Sequence, residues 1–147
     1  AVTKFKNIKT DGTAGTHVDF TDIDFPLFRL GEQYLIYAEA ALRGGSGGSL
    51  TTAVTYINLL RTRAAAATIV QADLTLPFIL DERARELYWE GHRRTDLIRF
   101  GKFTDASYLW PWKGDLKAGK AVESWRKVYP IPSDELVSNP NLTQNPN

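Results

Sequence analysis

The 147-residue chain contains no cysteine and no methionine. The first absence excludes disulfides, thiolate metal ligands, a cysteine nucleophile and a lipid-modified cysteine within these residues, while leaving the redox compartment open. A surplus of one charge is missing too, since 18 Lys and Arg against 17 Asp and Glu leave a formal net charge of +1. A sequence-independent nucleic-acid binder needs a stronger basic excess, so that class is disfavoured. Long apolar runs are also absent. The longest candidate, 27–42, is broken by Arg29, Glu32, Gln33 and Glu39, and a membrane span needs roughly 20 consecutive apolar residues. The chain opens Ala1-Val2-Thr3-Lys4 with neither a start residue nor an apolar signal segment, and the expectation from that opening is a fragment or a processed product.

What is present is the balance of one globular domain, 43% hydrophobic and 24% charged. Residues 1–26 are rich in Thr, Asp and Gly, with one alternating piece from Val2 to Ile8 expected as an edge strand. From Leu27 the period changes to threes and fours. Leu27, Leu30, Tyr34, Ala38 and Ala41 predict one helical face, with Pro26 at the start and Gly44-Gly45 at the end. The segment GGSGGS at 44–49 has the composition of a flexible linker and equally of a glycine-rich turn. Leu50, Val54, Ile57, Arg61 and Ala64 repeat the helical spacing behind Ser49 as N-cap, so the two helices should pack as an antiparallel hairpin. A third helix is signalled by Thr75 as cap, Pro77 in the first turn, Leu80, Ala84 and Leu87 facing inward, and Gly91 as terminator. A fourth should run from Arg94 to Phe100 and stop at Gly101, with one helical turn at Ser133 to Leu136.

Chemistry-bearing patterns are few. His17 and His92 stand apart from any nucleophile, and no metal-ligand spacing occurs, so no catalytic residue, metal or cofactor is expected. Glu82, Glu86 and Glu90 recur every fourth residue, but a glycosidase sets two carboxyls across a cleft. Interleaved Arg83, Arg85, Arg93 and Arg94 favour structural ion pairs, Glu82 with Arg85 and Glu90 with Arg94. The run from His92 to Arg94 sits beside Glu90 and Asp96, which points to a balanced network and away from phosphate binding. Asn141-Leu142-Thr143 matches an N-glycosylation sequon, which matters only in a eukaryotic secretory setting.

The aromatics carry more information. They make up 12% of the chain, with four Trp, and they gather toward the C-terminal half. Tyr108, Trp110, Trp112 and Trp125 lie in loop-like sequence near Lys113, Asp115 and Arg126. Flat rings that stack on apolar sugar faces, beside groups that hydrogen-bond hydroxyls, are the chemistry of a glycan site. The competing reading is that these rings cover the helical layer as core.

Three stretches together carry a family resemblance. They are FPLFRLGEQYLIYAEA at 25–40 with YINLLRTRA at 56–64, then ILDERARELYWEGHRRTDLIRFGKF at 79–103, and finally YPIP at 129–132 with NPNLTQNP at 139–146. The chain resembles the C-terminal part of the SusD/RagB family, surface glycan-binding lipoproteins of Bacteroidetes, over nearly its whole length. The resemblance implies a mainly α fold of tetratricopeptide-like antiparallel helix pairs with long irregular C-terminal loops, and Leu30-Gly31-x-x-Tyr34 matches the first helix of such a unit. It implies a C-terminal domain over 1–147 that is part of a longer chain. Such a protein sits on the cell surface at the outer membrane, held by a lipid anchor upstream. It would bind an oligosaccharide or polysaccharide without catalysis and pass it to a SusC-like TonB-dependent transporter. Peptide capture and a helical-repeat protein scaffold are the alternatives. Family members are several times longer, and much of their glycan platform lies outside the matching part, so the resemblance assigns no glycan-contacting residue here.

Overall fold

The computed structural model describes residues 4–17 and 19–146. Five α-helices and three short 3₁₀ turns account for its regular structure, which divides into two compact units, one ending at Glu90 and one starting at Gly91. Among the described residues the only β pairing is one antiparallel bridge between Ile8 and Ala14. The edge strand expected from Val2 to Ile8 is therefore corrected for Lys4 onward, and Val2 and Thr3 lie outside the described residues. Alternation alone makes no strand without a partner long enough to share its hydrogen bonds.

The first unit is built on α1, Leu30–Leu42, which packs against α2, Leu50–Arg63, and against α3, Leu76–Glu86. The GGSGGS segment is the turn that closes the α1–α2 hairpin. The Ser49 hydroxyl accepts the Thr52 N–H at 3.3 Å, capping α2 as expected, and the Ser49 N–H donates to the Tyr37 hydroxyl at 3.0 Å. Tyr34 stacks on Tyr56 at 4.6 Å between ring centroids, which staples the two helices along their length. At the other end of the hairpin, Arg29 before α1 and Arg63 at the end of α2 meet on the same Glu86 carboxylate, so the helices run antiparallel.

The inner face of α1 differs from the expected one. Gly31, Glu32, Leu35, Ala38 and Glu39 are buried, whereas Leu27 and Leu30 are exposed and Tyr34 and Ala41 half-buried. The helix also starts later than Pro26 implies, because Arg29 remains extended with its side chain drawn to Glu86 and Glu90. Periodicity failed here because two glutamates occupy inward positions. Glu39 pairs with Arg43 at 2.9 Å and Glu32 lies 3.8 Å from Arg83. On α2 the buried set is Ala53, Ile57 and Leu60, leaving Leu50 and Ala64 outside. The Thr75 hydroxyl caps α3 by accepting the Phe78 N–H at 3.3 Å, and Leu80 and Leu87 are buried as expected. That helix ends at Glu86, before Gly91, because the chain turns through a left-handed Trp89.

The second unit opens with α4, Arg93–Arg99, one residue ahead of the expected span and stopping before Gly101. Irregular chain follows, with 3₁₀ turns at Lys113–Asp115 and Ser124–Lys127, and then α5, Ser133–Ser138. The Asn-rich tail is held in place by its amides. The Gln144 side chain accepts from the Ile131 N–H at 2.8 Å and donates to the Ile131 carbonyl at 2.9 Å, while Asn145 donates to the Tyr129 carbonyl at 2.7 Å. These bonds give the YPIP segment the partners that a strand would otherwise supply. Among the described residues no helix is long and apolar enough to cross a membrane.

Candidate functional site

Glu82, Glu86 and Glu90, the three evenly spaced glutamates, are bound by cations. Glu82 accepts from Arg61 at 2.9 Å and from Arg85 at 2.6 Å. Glu86 receives Arg29 and Arg63. Glu90 receives Arg29 at 2.6 Å and also Lys4. The expected pair of Glu90 with Arg94 is corrected by this arrangement. Because α3 ends at Glu86, the helical register that would bring Arg94 to Glu90 is lost, and Arg94 instead stacks on Tyr129 at 4.1 Å and donates to the Arg126 carbonyl. Burial pushes the Glu86 and Glu90 carboxyls up. The hydrogen bonds outweigh it, from Arg63 and Arg29 on Glu86 and from Arg29 and Lys4 on Glu90, so both end below the usual carboxylate range. A general acid needs a raised pKa and an open face, and these carboxylates have neither. Gly31 belongs to the same network, since a Cβ there would stand 2.8 Å from Arg29 and 2.9 Å from Glu86. His17 is likewise occupied locally, its Nδ1 accepting the Asp19 N–H at 3.0 Å.

The aromatic segment of the second unit has the opposite character. Trp112 is 66% exposed and Trp110 37%. The two line one recess of about 550 Å³, with Asp115, Lys120, Glu123 and Arg126 among its polar walls. That volume lies within the range of small-molecule sites. Tyr108 is half-buried, accepts from Arg93 at 2.7 Å and meets Trp110 edge to face at 6.2 Å. It lines a neighbouring recess of about 470 Å³ with Leu109, Trp110 and Arg93. Trp125 is half-buried under the Arg126 guanidinium, 4.5 Å from its ring centroid, and lines neither recess. The four candidate aromatics thus divide. Trp110 and Trp112 share one recess, Tyr108 lines the neighbouring one with Trp110, and Trp125 lines neither.

The loop that carries these rings has no helix or strand to shape it and is held by polar contacts. Lys113 is 3% exposed. Its ammonium donates to the carbonyls of Tyr108 at 2.5 Å, Asp105 at 3.1 Å and Lys102 at 3.4 Å, and it lies 4.6 Å from the Trp110 ring centroid. Burial pushes this ammonium down, against the nearby Asp105 charge. Asp105 accepts from Lys102 and Ser107, which hold its carboxyl well below the usual range. Trp112 and Asp115 are both left-handed, with φ of 69° and 64°. Gly119 closes the loop from the other side, where a Cβ would come within 2.5 Å of the Trp110 carbonyl oxygen. Sequence reasoning missed Lys120, Glu123 and Gly119. Glu123 and Arg126, paired at 2.6 Å, had a legible helical spacing, but nothing local placed Lys120 or Gly119 beside Trp110.

Comparison with known proteins bears on the family and the fold. Residues 2–147 match the SusD family. Over 145 residues the chain is 45% identical to the starch-binding protein SusD of Bacteroides thetaiotaomicron, covering 99% of this chain and 25% of that protein. A SusD superfamily protein from Bacteroides vulgatus superposes with a TM-score of 0.69 at 32% identity, over 92% of this chain and 31% of the other. Surface glycan-binding protein A of Bacteroides thetaiotaomicron, in complex with laminarihexaose, gives 0.69 at 34% identity, over 85% of this chain and 25% of the other. The chain therefore spans about a quarter of the curated relative it matches. Its helices are those of the tetratricopeptide-like SusD architecture. With the match running from residue 2 to residue 147 and the fold shared with solved relatives, the chain belongs to the SusD family.

Proposed function

We propose that this chain is the C-terminal portion of a non-catalytic glycan-binding lipoprotein of the outer-membrane cell surface, which captures oligosaccharide and delivers it to a SusC-like TonB-dependent transporter. The observation that carries the reading is the recess in which Trp110 and Trp112 stand among Asp115, Lys120, Glu123 and Arg126. An exposed indole offers a flat apolar surface to the C–H face of a sugar ring, and charged groups of both signs around it bond the hydroxyls. The mixed walls favour a neutral glycan over an anionic one. Two relatives support the ligand class, one named for starch binding and one solved with laminarihexaose. Affinity for each sugar is weak, and many copies on one cell hold a polysaccharide through multivalency.

Isothermal titration of the complete protein with maltohexaose and laminarihexaose tests the reading. Saturable binding of either, weakened by Trp112→Ala, supports it. Binding of a peptide digest with neither glycan would replace glycan by peptide capture, and binding of none of these ligands refutes capture. Delivery has its own test, co-purification of a TonB-dependent transporter from membranes with the complete protein. If no transporter is recovered, the delivery step falls and the binding step stands.

A further inference from the structure

We propose that Lys113 is the positioning residue of the aromatic recess, its buried ammonium tying the chain at Lys102, Asp105 and Tyr108 to the face of Trp110 so that the recess exists before a ligand arrives. The inference rests on the reading of the recess as a glycan site and deepens it by naming what sets its shape.

Lysine is almost never fully buried unless paired, and among the described residues Lys113 forms no salt bridge, Asp105 acting on it only as a nearby charge. Its partners are main-chain carbonyls. An ammonium has three donors, and here three carbonyls from residues 102, 105 and 108 receive them. The backbone adds two more ties, the Lys113 N–H to the Trp110 carbonyl at 3.1 Å and the Lys120 N–H to the Lys113 carbonyl at 2.9 Å. Five positions of irregular chain, four within 102–110 and one at Lys120, thereby converge on one residue. In a chain with no cysteine, such a hub supplies the cross-link that a disulfide gives to other loop-rich surfaces.

The hub also explains the exposure of Trp112. The residue before Lys113 is left-handed, as are Gly114 and Asp115 after it. Such backbone at non-glycine positions is costly and persists only where the surroundings over-determine it. Burying the lysine side chain while the chain reverses on both sides turns the neighbouring indole outward to 66% exposure. On Trp110 the ammonium lies over the ring, a cation–π contact that fixes the indole plane. Binding to a site already formed avoids the cost of ordering its side chains.

The charged and titratable groups around the hub are Lys102 and Asp105, paired at 2.9 Å, Tyr108, bonded to Arg93, and, along the recess that Lys113 lines, Asp115, Lys120, Glu123 and Arg126. Burial lowers the pKa of this ammonium, so alkaline titration neutralises it ahead of an exposed lysine. A neutral amine has two donors for three carbonyls, so the hub loosens.

The test uses the complete protein labelled with 5-fluorotryptophan, with Trp110 and Trp112 resonances assigned from Trp110→Phe and Trp112→Phe, and maltohexaose and laminarihexaose as probes. Lys113→Met keeps an apolar stem and removes the donors. It should shift both resonances in the ligand-free protein and weaken whichever hexaose binds by about tenfold. Leu80→Ala, in the core of the first unit, should lower thermal stability at least as much and change affinity by less than about twofold. Wild-type resonances should move on alkaline titration, and those of Lys113→Met should not. Unchanged resonances in Lys113→Met, or an equal affinity loss in Leu80→Ala, overturns the proposal. If the substituted protein fails to fold, the wild-type alkaline titration decides alone, and static resonances count against the hub. If wild type binds neither hexaose, the glycan reading fails separately, and the ligand-free spectra still decide the role of Lys113.

Discussion

Replacing Trp112 by alanine should cost affinity out of proportion to stability. A tryptophan presents roughly 150–250 Å² of surface, and 66% exposure leaves about 100–165 Å² of it facing water. A sugar ring stacked on one face covers about half of that, roughly 50–80 Å². At about 25 cal/mol per Å² the contact contributes about 1.3–2 kcal/mol, or roughly a 10- to 30-fold change in Kd. The stability cost should be smaller, since only the buried third of the ring loses packing. Trp112→Gly separates the two quantities. With φ at 69°, an L-residue here pays about 1 kcal/mol that glycine does not. The glycine variant should therefore be about 1 kcal/mol more stable than the alanine variant in urea titration, while both lose the same affinity by isothermal titration. A Trp112→Ala protein that binds hexaose within about twofold of wild type refutes stacking at this position. An alanine variant more stable than the glycine one refutes the left-handed strain.

Three further outcomes follow from the packing. Arg29→Ala leaves the half-buried Glu86 and the buried Glu90 with only Arg63 and Lys4 as partners, and should cost about 2–4 kcal/mol by urea denaturation at neutral pH. Because both carboxyls are lowered in the fold, that stabilisation is complete above their unfolded value of about 4.5 and lost as pH falls through the folded values. The gap to wild type must close in acid, and a gap unchanged at about pH 3 contradicts the assignment. Gly119→Ala puts a Cβ against the Trp110 carbonyl at a left-handed position, so tryptophan emission should change and hexaose binding weaken; a silent variant would show that this approach is not tight. Ser49→Ala removes the α2 cap and should cost about 1 kcal/mol in thermal unfolding with no effect on affinity, whereas a neutral substitution would mean that the cap contributes nothing.

The parts of the fold that could be read from sequence are those whose causes are local. Ser49 and Thr75 cap helices three residues ahead of the amides they accept, and Gly101 follows the last turn of α4. Each of these signals is complete within a few positions. The inner face of α1 was misplaced because Glu32 and Glu39 point inward, an orientation stabilised by Arg83 and Arg43. Hydrophobic periodicity treats a charge as outward by definition. Glu90 failed in the same way. Its partners Arg29 and Lys4 lie 61 and 86 positions away, and helical spacing sees no further than four.

The recess shows the same boundary from the functional side. Residue chemistry alone nominated Tyr108, Trp110, Trp112 and Trp125, and it left open whether their rings cover a core or face a ligand. No period can decide that in irregular chain, because side-chain direction there is set residue by residue through backbone angles. The deciding element is Lys113, between an outward Trp112 and a left-handed Asp115. A lysine directly after an aromatic cluster looks like one more solvated charge. Once its ammonium is satisfied by carbonyls of residues 102–108, it becomes the point about which the loop is wound, and the adjacent indole has nowhere to pack. Exposure of Trp112 is thus a consequence of burying its neighbour. An indole held outward in this way depends on the buried lysine beside it, which makes the Trp112-Lys113 pair, and not the tryptophans alone, the unit that shapes the recess.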